Sequence, residues 1–62
     1  MRINRGTLAA ELRVRDMTQT FLAKKAGISR MTINSIMSGK ACSEETGRKI
    51  AEALGMKLEK LM

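Results

Sequence analysis

Between Thr18 and Gly39, apolar residues recur with the period of a helix in two short segments that Gly27 separates. The apolar positions of the first segment are Phe21, Leu22 and Ala26. Those of the second segment are Ile33, Ile36 and Met37. The pattern predicts two short helices joined by a tight turn, and it places all six of these side chains in the interior.

Two such helices around a glycine have the layout of a helix-turn-helix. Thr18 and Ser29 stand at their starts, where a hydroxyl oxygen can accept an unpaired backbone N–H as an N-cap. Gly27 can take the left-handed conformation that ends a helix. We therefore expect helix 2 to begin after Thr18 and helix 3 to extend over about residues 29–37.

Helix 1 is expected before this pair. Asn4 or Thr7 can cap it, and it runs to about Arg15 with two leucines on one face. The segment Met1 to Ile3 is a short basic arm, which we expect to fray because chain termini are poorly ordered unless other contacts hold them.

Two more helices are expected after it. Helix 4 begins at Ser43 and stops at Gly55, and a last short helix lies within residues 56–62. Leu58 and Leu61 of the last helix either seal the bundle or form a dimer patch. The sequence thus predicts an all-α fold, a compact five-helix bundle, in a single domain over residues 1–62.

The charge balance points to a polyanionic partner. The chain has twelve Lys and Arg residues against six Asp and Glu, a net charge of +6. Residues 1–30 hold seven basic and two acidic side chains (7 − 2 = +5), whereas residues 31–62 hold five and four (5 − 4 = +1). A basic surface next to a helix-turn-helix is typical of nucleic-acid binding.

Composition argues against other classes of function. The chain has no histidine, Asp16 is its only aspartate and Cys42 is its only cysteine, so the sequence predicts no metal site, no cofactor and no enzyme. An unpaired thiol indicates a reducing, cytoplasmic setting. No apolar run approaches the roughly 18 residues of a membrane span, so no membrane partner is expected.

Helix 3 carries the candidate base contacts, because its N-terminal residues would lead into the major groove of DNA. The candidates are Arg30, Met31, Asn34 and Ser35. Arg30 fits guanine, or else a phosphate or solvent; Met31 fits a thymine methyl group, or else the seam between helices 2 and 3. Asn34 fits adenine, or else water or a phosphate. Gln19, in the first turn of helix 2, is a candidate phosphate ligand.

The sequence TQTFLAKKAGISRMTINSIMSGK followed by SEETGRKIAEALGMKLEKLM resembles the Cro/CI-type, or XRE-family, helix-turn-helix domain of phage and bacterial transcription regulators. The resemblance implies a lambda-repressor-like fold that binds operator DNA as a homodimer. It implies that Gln19 holds a phosphate, that Arg30 and Met31 are the leading base readers, and that Asn34 and Ser35 also face the groove. It implies DNA-backbone contacts for Ser38 and Lys40, and we add the two caps, Thr18 and Ser29.

The chain departs from the family pattern at the end of helix 3. Family members often have Glu-Asn where this chain has Met37 and Ser38, so the ion pair of that glutamate with a helix 1 arginine is expected to be absent. No proline follows Lys40. The chain stops at Met62, which resembles a short Cro-like protein more than a self-cleaving repressor.

Two functions fit these features. The first is a sequence-specific DNA-binding transcription regulator of the phage repressor or Cro type, whose helix 3 lies in the major groove of an operator half-site. The alternative is a protein-binding modulator on the same fold, such as an antirepressor or antitoxin, with a regulatory protein as its partner. Met31, which cannot hydrogen-bond a base, and the apolar C-terminal segment favour the alternative.

Overall fold

A computed structural model describes all residues, 1–62, and contains four α-helices and no strand. The helices are α1 (Arg5–Val14), α2 (Gln19–Ala26), α3 (Arg30–Met37) and α4 (Glu44–Leu54). The all-α prediction is confirmed. No helix has the length and the apolarity that crossing a membrane requires.

The predicted count of five helices needs a correction at the C-terminal end. Residues Leu58–Leu61 form a single 3-10 helix, and the other residues expected in a fifth α-helix lie outside it. Because side chains at i and i+3 eclipse in a 3-10 helix, Leu58 and Leu61 lie on the same side of it. Leu61 is fully buried and Leu58 is half-buried, so this segment seals the bundle against α1 and α4.

All four α-helices begin at a side chain that caps them. The side-chain oxygens of Asn4, Thr18, Ser29 and Ser43 each accept the backbone N–H three residues later, at 3.0–3.1 Å. Such a cap contributes about 1 kcal/mol to a helix. The predicted caps at Thr18, Ser29 and Ser43 are confirmed, and Asn4 is the cap of α1.

The core consists only of apolar side chains, and no polar or charged residue is buried. Six large residues are less than 2% exposed, and every helix of the bundle contributes at least one of them: Leu8, Leu22, Ile33, Ile36, Ile50 and Leu61. Helix α2 is central to the packing, because it contacts both α3 and α4. These contacts fix the direction in which α3 presents its outer face.

The N-terminal arm does not fray. Ile3 is 6% exposed, and the backbone N–H of Asn4 donates to the carbonyl of Leu61 at 2.6 Å. The backbone N–H of Cys42 donates to the carbonyl of Met1 at 2.8 Å, so the arm lies along the loop that follows α3. The expectation was wrong because it rested on local pattern alone, and a single apolar residue outside a helix gives no periodic signal.

Phe21 is also placed differently from the prediction. Its side chain is 54% exposed, while Leu22 and Ala23 are buried. The inward row of α2 runs through residues 19, 22, 23 and 26, which recur at i, i+3, i+4 and i+7. Phe21 falls on the opposite face of that helix, so the sole aromatic residue of the chain is outside the core.

Candidate nucleic-acid interface

Gly27 ends α2 and begins the turn to α3, as the sequence predicts. Gly27 has φ 74° and ψ 32°, the left-handed conformation. The N–H of Ile28 donates to the carbonyl of Ala23 at 3.0 Å, the six-to-one hydrogen bond of a Schellman motif. The turn then leads directly into the Ser29 cap, which fixes where α3 begins relative to α2.

Helix α3 is anchored by its inner face and exposes its outer face. Ile33 and Ile36 are at most 1% exposed, whereas Met31 is 77% exposed. Met31, Asn34 and Ser38 recur at i, i+3 and i+7, so they share the row that points away from the core. The outer face of α3 is therefore free to enter a groove.

The four candidate base contacts lie together on this outer face. Arg30, Met31 and Asn34 are exposed, and Ser35 is half-buried at one edge. Arg30 precedes Asn34 by four residues, and Met31 precedes Ser35 by four, so the two pairs are neighbours along the helix. The exposure of Met31 leaves its side chain outside the seam between α2 and α3.

Gln19 lies at the start of α2 on the inward row with Leu22 and Ala23. That row packs toward α3 and α4, so the half-buried Gln19 side chain is on the side of α2 that faces its neighbours. Gln19 is also the first residue of α2, so it stands at the helix N-terminus, where an anion is favoured.

The cap residues have different hydrogen-bonding capacity left for a phosphate. The hydroxyl oxygen of Thr18 accepts from the N–H of Phe21 at 3.0 Å, which leaves the hydroxyl hydrogen of Thr18 available to donate. The hydroxyl of Ser29 caps α3 and also lies 2.8 Å from the hydroxyl of Thr32. Thr18 is thus the freer donor of the two caps.

The two candidates after α3 also differ. The hydroxyl of Ser38 donates to the carbonyl of Asn34 at 2.9 Å, so its hydrogen is already used within the protein. The backbone N–H of Lys40 donates to the carbonyl of Ser35 at 3.0 Å, while the Lys40 side chain is exposed. Of this pair, Lys40 is the one equipped to contact a phosphate.

The charge of the helix-turn-helix is of one sign. No acidic residue occurs between Met17 and Ser43, and this stretch contains four basic residues, Lys24, Lys25, Arg30 and Lys40. The three ion pairs of the protein lie outside this stretch: Arg15–Glu11 at the C-terminal end of α1, and Arg48–Glu44 and Lys49–Glu45 within α4. The basic side chains of the helix-turn-helix are therefore not neutralised by acidic neighbours.

Arg5, in α1, contacts the C-terminal end of α3. Its Nη1 donates to the carbonyl of Met37 at 3.5 Å. The sequence gives no local signal for this contact, because the two residues are 32 positions apart. Position 37 has no glutamate to form an ion pair with a helix 1 arginine. In this protein an arginine of α1 contacts the main-chain carbonyl of Met37 instead.

The comparisons with known proteins agree with this geometry. The helix-turn-helix family HTH_3 matches residues 10–61. Repressor protein C of Rhizobium phage 16-3 is 40% identical over 50 residues, which cover 81% of this chain and 19% of that repressor. The chain thus spans about one fifth of the length of the curated relative it matches. No solved structure gives a significant match to the chain.

Proposed function

The chain belongs to the helix-turn-helix family HTH_3, and on this basis we propose that α3 reads an operator half-site in the major groove of double-stranded DNA. The family and the similarity to a phage repressor support a DNA-binding transcription regulator rather than an enzyme. The single observation that carries the proposal is the exposed row of α3, which Ile33 and Ile36 hold outward from the core.

Each candidate residue has a distinct task in this proposal. Arg30 donates two hydrogen bonds to guanine O6 and N7, and Asn34 pairs with adenine N6 and N7. Met31 packs on a thymine methyl group, and Ser35 borders the groove. Phosphates are bound by Thr18, Gln19 and Lys40, of which Lys40 contributes charge. Ser29 and Ser38 are the weaker candidates for phosphate contact, because their hydroxyls already bond to Thr32 and to the carbonyl of Asn34.

We infer that the domain, residues 1–62, acts as a homodimer on DNA in the cytoplasm. Two copies related by a two-fold axis would place their recognition helices about 34 Å apart, one turn of the duplex. A palindromic operator follows from that symmetry. Arg30 and Lys40, at the two ends of α3, supply positive charge that attracts DNA.

Selection of bound fragments from a random pool of duplex DNA tests this function. We expect an enriched palindrome with half-sites one helical turn apart and a guanine in each half-site that Arg30 reads. Arg30→Ala should relax selection at that guanine, at a cost of about 1–3 kcal/mol in discrimination. Lys57→Ala, which removes an exposed cation after α4, is the matched control and should keep the full motif.

Two results would contradict the proposal. One is a pool with no enriched sequence. The other is a loss of affinity on Arg30→Ala that is equal for every sequence. The alternative function, a protein-binding modulator on the same fold, is supported by Phe21, the large apolar side chain that α2 leaves exposed.

A further inference from the structure

Two large apolar side chains remain exposed on either side of the turn between α1 and α2. Val14, the last residue of α1, is 81% exposed, and Phe21 of α2 is 54% exposed. Neither belongs to the outer face of α3. Exposed side chains of this size mark a contact surface where they lie beside other apolar groups.

Phe21 lines a shallow groove of about 350 Å³. The other residues of the groove are Arg15, Asp16, Met17 and Thr18. Met17 is half-buried against the core, and its N–H donates to the carbonyl of Leu12 at 2.9 Å. The groove thus has an apolar floor and wall in Met17 and Phe21, with polar groups at its edge.

The walls of the groove are held in place by the fold. Asp16 has φ 53°, and its N–H donates to the carbonyl of Arg13 at 3.1 Å. The Nη2 of Arg15 donates to the carbonyl of Leu54 at 2.8 Å, which ties the turn to the end of α4. A groove with fixed walls binds without a large ordering cost.

Exposed cations lie next to these apolar residues along α1 and α2. Lys24 and Lys25 follow Phe21 at i+3 and i+4, so they share its face of α2, and Arg13 precedes Val14. None of these three cations forms an ion pair. Arg15 is paired with Glu11, and Asp16 is the single acidic group at the groove.

We propose that the surface formed by Val14, Met17 and Phe21, with its rim of Arg13, Lys24 and Lys25, docks an acidic amphipathic segment of a partner protein. The apolar side chains of that segment cover Phe21 and Met17, and its carboxylates pair with the rim. Charge complementarity selects this partner over a basic or a neutral one.

This surface shares one residue, Thr18 of the groove, with the candidate DNA-binding residues of the protein. Phe21, Lys24 and Lys25 lie on the face of α2 opposite to Gln19, Leu22 and Ala23. The outward row of α3 contains none of them. The docking does not depend on the proposed DNA binding, because Phe21, Lys24 and Lys25 have no assigned contact with DNA.

A designed peptide tests the proposal directly. The probe is a labelled helical peptide with leucine at i, i+3, i+4 and i+7 and glutamate elsewhere. Its controls are a peptide with lysine in place of glutamate and a scrambled peptide of the same composition. We expect the Glu/Leu peptide alone to bind, with amide shifts of the ¹⁵N-labelled protein confined to residues 13–25.

Variants locate the contact on the protein. Phe21→Ser should weaken peptide binding by about tenfold or more, since a buried aromatic anchor dominates such interfaces. The pair Lys24→Ala and Lys25→Ala should weaken binding several-fold at low salt and less at high salt. Val14→Ser serves as a second apolar variant, and Met62→Ala, which removes an exposed apolar side chain at the C-terminus, should leave peptide binding unchanged.

Four results would overturn the proposal. The first is an absence of binding by the Glu/Leu peptide, and the second is equal binding by the scrambled peptide. The third is unchanged binding by folded Phe21→Ser and Val14→Ser proteins. The fourth is displacement of the peptide by duplex DNA, or amide shifts centred on α3, which would assign the surface to nucleic acid.

Discussion

The guanidinium of Arg5 lies over Gly39. A Cβ atom built on Gly39 would be 3.3 Å from Nη1 of Arg5, which is tighter than an ordinary contact, and 3.5 Å from Cζ. The same Nη1 donates to the carbonyl of Met37 at 3.5 Å. The negative end of the α3 dipole favours a cation at this place. Helix α1 therefore holds the end of the helix that is proposed to read DNA.

Replacing Arg5 should change DNA binding through the position of α3. Arg5→Ala removes a cation from a helix C-terminus, which costs about 0.3–1 kcal/mol. We expect operator affinity to fall by about two- to fivefold while the slope of log affinity against log salt stays unchanged. Fluorescence anisotropy at several salt concentrations measures both, and Arg13→Ala, another exposed cation of α1, is the control. A slope smaller by about 0.9 would indicate a direct phosphate contact by Arg5 instead.

Gly39→Ala should destabilise the protein for two reasons that a double-mutant cycle can separate. Gly39 has φ 93°, where an L side chain costs about 1–3 kcal/mol, and its Cβ would crowd Arg5. Combined with Arg5→Ala, the substitution should cost less than the sum of the single changes, because only the strain remains. Chemical denaturation of the four proteins gives the coupling. Simple additivity would show that Arg5 does not contact this position.

At Gly27 the cost of a side chain should come from the backbone alone. No atom lies within 4 Å of a Cβ built there, and φ is 74°. Gly27→Val should lower the free energy of unfolding by about 1–2 kcal/mol, and Gly27→Asn by less, since asparagine tolerates the left-handed conformation. Thermal unfolding followed by circular dichroism compares the two variants. Equal losses would mean that φ is not the controlling factor.

Arg15 should matter more to stability than the other paired arginine. Its side chain is 29% exposed, pairs with Glu11 and donates to the carbonyl of Leu54 at 2.8 Å. Arg15→Ala should cost about 1–2 kcal/mol, because hydrogen bonds to charged groups are stronger than neutral ones. Arg48, 66% exposed and paired with Glu44, is the matched control, and Arg48→Ala should cost about 0.5 kcal/mol or less. Midpoints of denaturation that shift equally would refute this ranking.

Replacing Lys40 and replacing Gln19 should weaken DNA binding in different ways, although both residues are candidates for phosphate contact. A lysine releases condensed counterions when it neutralises a phosphate, whereas glutamine carries no charge. Lys40→Ala should reduce the salt slope by about 0.9, and Gln19→Ala should lower affinity at every salt concentration with the slope unchanged. Titrations of one operator fragment test both variants. A reduced slope for Gln19→Ala would be inconsistent with a neutral hydrogen bond.

The sequence by itself determined the helix boundaries and the helix-turn-helix. A cap such as Thr18 or Ser29 acts on an N–H three residues away, and Gly27 ends α2 through its own φ, so each signal is complete within one turn of chain. The same local pattern placed Arg30, Met31 and Asn34 on one outward row, because Ile33 and Ile36 mark the opposite face. The prediction of a fifth α-helix was wrong about the type of helix, because Leu58 and Leu61, three residues apart, fit a 3-10 helix equally well.

Only the tertiary structure decided the contacts between residues distant in the chain. It buried Ile3 beside Leu61, moved Phe21 out of the core, and brought Arg5 to the end of α3 and Arg15 to the end of α4. In each case the outcome depends on which groups from other helices meet the side chain. The period of the apolar residues shows which side chains share a face of a helix. Whether that face is buried also depends on which other parts of the chain cover it.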